Sequence, residues 1–217
     1  MIDGVDVTIG TEAVCVTAVR ELVVVSSAFA GGGFARARTI ANVHVAKNFP
    51  CDDAEATVGA FVRRRALPSP WLGMLTSAWT EKAETAVETA GGIRALVVVT
   101  VGLSNASAAG LTGRASPIPG TINTVVVVDA EPSAAAMVNL VMTVTEVKTA
   151  ILLEAGVKVV DGHPATGTST DAVVVAPTGR GPHCRFGGPI SDLGWVVARA
   201  TREALGTGVR RWLEDHL

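Results

Sequence analysis

The chain has 217 residues and a net charge of −2, with 48% hydrophobic and only 18% charged residues. That balance gives ample material for one buried core and excludes a disordered chain. Without a clustered basic surface, it also excludes nucleic acid as an expected partner.

The apolar runs are interrupted well short of the roughly 20 residues that span a bilayer. Asp3 and Asp6 stand where a signal peptide would carry its basic flank, so we expect a cytoplasmic protein without a membrane anchor. Aromatic residues are scarce and tyrosine is absent, which leaves the core to Val, Ala and Leu. Cys15, Cys51 and Cys184 are odd in number and widely spaced, and they read as free thiols.

In chain order, Val5 to Ile9, Ala13 to Ala18 and Leu22 to Val25 form three short β-rich pieces of a meander. Gly31-Gly32-Gly33 follows, and then Thr39 to Val45 with strand-like alternation. Asp52 or Asp53 can cap a helix that runs to about Arg65 and ends in the basic run Arg63-Arg64-Arg65. Pro68 and Pro70 stop that helix, and a short strand near Leu72 to Thr76 comes next. A second helix is predicted over Thr80 to Thr89, closed by Gly91-Gly92.

Arg94 to Val101 and Thr121 to Asp129 read as core strands, separated by a Gly/Ser/Pro-containing loop from Ser107 to Pro119. A long helix spans Ser133 to Ala155, and a final amphipathic helix runs from Ser191 towards Leu213. With no linker and no internal repeat, the expectation is a single domain over residues 1–217. Its class is α+β (or α/β), a mixed sheet packed by a few long helices.

Two polar turns abut core strands. Thr166-Gly167-Thr168-Ser169-Thr170-Asp171 runs into Ala172 to Ala176, and Pro119-Gly120-Thr121-Ile122-Asn123-Thr124 runs into Val125 to Val128. Folds place binding and catalytic groups at such junctions. On the long helix Asn139, Thr143 and Glu146 form one polar stripe, either lining a pocket or facing solvent, and Lys148 lies on another azimuth. The three glycines at 31 to 33 lack the surroundings of a dinucleotide or P-loop motif and fit a tight turn.

No histidine or cysteine spacing suggests a metal site, and no serine-hydrolase elbow is present. Hydrolytic chemistry would therefore draw on the hydroxyls of Thr168 and Ser169, with Asp171 or Glu146 as acid–base groups.

Taken together, seven segments in order resemble the adenosylcobinamide amidohydrolases, the CbiZ-type corrinoid salvage enzymes. They are Ser26-Ser27 with Gly31 to Gly33, Asn42 to Val45, Gly73 to Ala78, Thr100 to Ala106, Pro119 to Asn123, Thr145 to Thr149, and Ala165 to Asp171. The resemblance implies hydrolysis of the amide between the corrin side chain and aminopropanol. It also implies a small-molecule corrinoid partner and no resident cofactor, since the cobalt belongs to the substrate; self-association is compatible with it. Residues of the matched segments expected to hold substrate are Asn42, Asn105, Thr121, Asn123, Lys148, Thr166 and Thr170.

The chain departs from the family pattern at Ile190, Asp192 and Trp195, where polar or charged groups are expected instead. If those groups touch substrate, a binding protein without catalysis is the alternative.

Overall fold

A computed structural model describes residues 1–50, 53–114 and 120–216. In chain order the elements are β1 (Val5–Ile9), β2 (Ala13–Ser26), β3 (Gly33–His44), α1 (Ala54–Arg64), β4 (Trp71–Thr76), β5 (Glu84–Ala90), β6 (Ile93–Val101), β7 (Ala106–Ser107) and β8 (Ile122–Asp129). They continue with β9 (Glu131–Pro132), α2 (Ala134–Glu154), β10 (Gly167–Thr168), β11 (Ala172–Pro177), β12 (His183–Cys184) and α3 (Asp192–Glu214). The large sheet is mixed, in the order β4-β3-β2-β11-β8-β6-β5, and β1 pairs with the first half of β2.

The valine runs predicted as strands are buried on both faces, and their alternation shows how the layers stack. In β8, Val126 and Val128 join a core with Leu140, Val144, Val196 and Val197 of α2 and α3. Val125 and Val127 point the other way, into a core with Ile40, Leu72 and Met74 of β3 and β4. The sheet therefore curls until its two halves face each other, and β4 touches β8 although three strands separate them in the sheet. The opposite face of β3 and β4 carries α1, whose Val58, Phe61 and Val62 pack with Ala41, Val43 and Leu75. The result is a single α+β domain with helices outside both halves of a folded sheet.

Three sequence expectations are corrected here. The pieces Ala13–Ala18 and Leu22–Val25 are one strand, interrupted by a register shift between Thr17 and Leu22. The helix predicted over Thr80–Thr89 is a single 3-10 turn at Thr80–Lys82 followed by strand β5. Its residues alternate, with Ala86 buried between exposed Thr85 and Val87, and Gly91 and Gly92 (φ 57° and 76°) close a two-residue hairpin to β6. A glycine pair with positive φ serves a helix end and a tight hairpin equally well, which is why the punctuation misled. The third correction concerns the cap of α1: Asp53 stands at the N-cap but makes no side-chain capping bond. Asp52 lies outside the described residues, as do Cys51 and Pro119.

The long helix α2 forms as expected, capped by Ser133, whose hydroxyl accepts from the Ala136 N–H. By length and composition it is apolar enough to cross a membrane, which the interrupted runs in the sequence did not suggest. Half of its most apolar stretch is buried, with Leu140, Val144 and Leu152 fully covered in the core it shares with α3 and the sheet.

Candidate active site

The two polar turns meet because β8 and β11 are parallel neighbours, with Asn123 opposite Ala172. At that junction Asp171 becomes the hub of a cluster. Its Oδ1 accepts from the Ile122 N–H at 3.0 Å, from the Thr121 hydroxyl at 3.4 Å, and from the Thr168 hydroxyl. Its Oδ2 accepts from the Thr168 N–H at 3.0 Å and from Lys148 Nζ at 2.5 Å. Both side chains of the Asp171–Lys148 pair are only 10% exposed.

A buried charge pair is retained only where further hydrogen bonds satisfy it, and four donors besides Lys148 do so on this carboxylate. Gly167 makes the approach feasible: a Cβ there would lie 2.6 Å from Asp171 Oδ2 and 3.1 Å from Lys148 Nζ.

Behind Asp171, a buried amide network joins the two halves of the sheet. Thr121 shares its hydroxyl with Asn123 Oδ1, at 3.3 Å. Asn123 Nδ2 donates to Asn42 Oδ1 at 2.8 Å and to the Leu75 carbonyl at 2.9 Å. Asn42 Nδ2 donates to the Thr100 hydroxyl at 2.9 Å.

On the solvent side, Asn105 Nδ2 donates to the exposed Ser169 hydroxyl at 2.7 Å. Thr166 is tied down three times, its N–H donating to the Ser107 carbonyl, its carbonyl accepting from the Thr149 hydroxyl and its own hydroxyl from the Ala109 N–H. Thr170 lies half-buried beside Asp171.

The structure thus gathers Asn42, Thr121, Asn123, Lys148, Thr168 and Asp171 into one bonded set, with Asn105, Ser169 and Thr166 around it. Glu146 is not part of that set. It is exposed on α2, about 200° around the helix from Lys148, so the carboxylate expected to share the acid–base role points elsewhere. Its stripe partner Thr143 is buried, and there it donates to the Gly187 carbonyl at 2.9 Å instead of lining a pocket.

Two contributors were not singled out in the sequence, Thr100 and Thr149. Thr100 had a signal, a hydroxyl interrupting the run from Val97 to Val101 where every other side chain is aliphatic. Among the described residues no group of three or more His, Cys, Asp or Glu could hold a metal ion.

The departures from the family pattern sit elsewhere. A Cβ on Gly91, in the β5–β6 hairpin, would stand 4.0 Å from the Asp192 carboxyl carbon. The start of α3 therefore lies at the opposite end of β6 from Thr100. Ile190 is 98% exposed and Trp195 45% exposed.

The family model described as adenosylcobinamide amidohydrolase matches residues 2–216. An adenosylcobinamide amidohydrolase from Methanosarcina mazei is 32% identical over 145 residues, covering 67% of this chain and 64% of that relative, so the match spans less than two thirds of the relative's length. Among solved structures, the PH0078 protein from Pyrococcus horikoshii OT3 shares the fold, with a TM-score of 0.52 at 11% identity over 97% of this chain and 80% of its own.

Proposed function

The chain belongs to the adenosylcobinamide amidohydrolase family, and from that premise we propose that it hydrolyses the amide joining a corrin-ring propionyl side chain to aminopropanol. The released corrinoid acid could then re-enter cobamide assembly, which makes this a salvage reaction.

The observation that carries the reading is the Thr168 hydroxyl donating to Asp171, with Lys148 on the same carboxylate. This is a hydroxyl oriented by its base, the arrangement that nucleophilic catalysis needs. The Thr168 oxygen attacks the amide carbon, its proton passes to Asp171, and the carbonyl electron pair moves onto oxygen. The Lys148 ammonium offsets that charge. Collapse breaks the C–N bond, and the amine leaves with the proton returned by Asp171. Water then attacks the ester by the same route, releases the acid and restores Thr168.

Asn105 and Ser169, on the open side, suit the amide fringe of a corrinoid. The reaction needs no resident cofactor, because the cobalt travels with the substrate. A cytoplasmic setting is consistent with the free thiols of Cys15 and Cys184.

Incubating the purified protein with adenosylcobinamide should yield cobyric acid by mass spectrometry, and binding without cleavage would sink the reading. Asp171→Asn and Thr168→Ala should each lower turnover by about 10²–10⁴. Glu146→Gln should leave it close to wild type. Full activity in both of the first two variants would move the chemistry to other residues.

A further inference from the structure

We propose that a cleft between Trp79 and Trp212, beside the Asp171 cluster, seats the flat heteroaromatic base of the substrate, the adenine of an adenosyl group. This rests on the reading that the chain acts on an adenosyl-bearing corrinoid.

The chain has four tryptophans and no tyrosine, yet two of its indoles line one cleft. Its main arm, of about 50 Å³, is lined by Lys47, Ser77, Trp79, Gly102, Ser104 and Trp212 among others. A narrower arm of about 20 Å³ continues between the same two tryptophans, past Lys82 and Arg211. This space takes the edge or face of a planar ring. A puckered macrocycle carrying side chains does not fit it.

The indoles are held in place before any ligand arrives. His44 stacks on Trp79 with ring centroids 5.5 Å apart and planes 12° from parallel, and its Nδ1 lies 2.9 Å from the Ala78 carbonyl. His216 stacks on Trp212 at 4.0 Å and 11°. Lys82 binds Asp215 at 2.7 Å and Arg211 binds Glu84 at 2.5 Å, so the end of α3 is fastened to the turn that bears Trp79. The Lys82 hydrogen bond also holds the Asp215 carboxyl below its usual range, so the pair stays charged further into acid. Trp79 is still 59% exposed, which leaves ring surface for a stacking partner.

The cleft shares a wall with the proposed catalytic cluster. Gly102 and Ser104 line it, and the Gly102 N–H donates to the Thr121 carbonyl at 3.0 Å. The Thr121 hydroxyl in turn reaches Asp171, while Asn105, next to Ser104, holds Ser169. A substrate with its scissile amide at Thr168 would therefore have a second part over the tryptophans. Indoles stack on nucleobases, and the Ser77 and Ser104 hydroxyls with the Lys47 ammonium supply partners for ring nitrogens and ribose hydroxyls.

The test compares adenosylcobinamide with cyanocobinamide, which keeps the corrin and the scissile amide but lacks the base. Trp79→Ala should raise KM for the adenosyl substrate about tenfold or more and leave KM for the cyano substrate unchanged. Trp79→Phe should recover part of the loss, and Tm should not move in either variant. Inhibition by 5′-deoxyadenosine should be seen in the wild type and lost in Trp79→Ala. A KM change of equal size on both substrates, or on neither, would overturn the cleft while leaving the hydrolase reading intact. Wild-type protein that cleaves neither substrate would bring down that reading and the cleft with it.

Discussion

Cys15 shows how a residue's surroundings decide its chemistry. It lies on the face of β2 that packs under α1, with Ala41, Val58 and Phe61 in the same core. Burial pushes its thiol up from 9.0 to about 11. The thiolate is the reactive form, so Cys15 in the folded protein should resist iodoacetamide at pH 8 and become labelled once urea unfolds the chain. Peptide mass mapping separates the two states, and rapid labelling of the native protein would contradict the packing. Unfolded chains ionise this thiol near pH 9, so the contribution of burial is present below that and lost as pH rises through about 11.

Asp171 shows the complementary case, a charge stabilised by donors brought from three segments, Thr121-Ile122, Lys148 and Thr168. The sequence displayed the hydroxyl loop and its carboxylate, but not that Lys148 would reach it. A lysine in a helix otherwise nearly free of charge was the available sign. Sequence spacing along α2 made Glu146 a candidate acid–base group, whereas the fold leaves its side chain exposed.

Among the elements, α1 fits closely on the sheet. It crosses β4 at Gly73, where a Cβ would stand 2.3 Å from Val58 Cγ1, and Val58 is fully buried. Gly73→Ala should therefore push α1 off the sheet and lower stability by about 1–3 kcal/mol, the usual cost of overpacking. A thermal melt checks this, and an unchanged midpoint would mean that α1 yields without cost.

The elements that were legible in the sequence had one strong signal each. β8 and β11 announced themselves as β-branched runs, and α2 and α3 as long helices behind Ser133 and Ser191. β5 was missed because its Glu, Thr and Ala suit an exposed helix as well as an edge strand. What decides it is the hairpin to β6 and the packing of Ala86 under α3, both tertiary effects.

At the scale of the whole molecule, the two sheet halves are joined by apolar contact and by the Asn42–Asn123 pair. Removing Asn42 leaves one donor of the buried Asn123 amide unmet, and removing Asn123 leaves the buried Asn42 Oδ1 without its donor, at about 1–3 kcal/mol either way. Asn42→Leu and Asn123→Leu should each cost about that much, and the double variant less than their sum. Additive losses in urea unfolding would show that the two amides act independently. The curl of the sheet was not legible in the sequence: a valine run declares two buried faces but not which layers cover them.

The two margins of the sheet also expose the molecule unequally to its neighbours. Along β4 the outer backbone is engaged at Gly73, which exchanges both hydrogen bonds with Ala30. Among the described residues β5 pairs only with β6, and an unpaired strand margin is a template for another chain. Its Glu84 and Glu88 are held by Arg211 and Arg199 of α3. A foreign strand would have to dock against those ion pairs, so the charges that hid β5 from sequence reading also serve as its guard against aggregation.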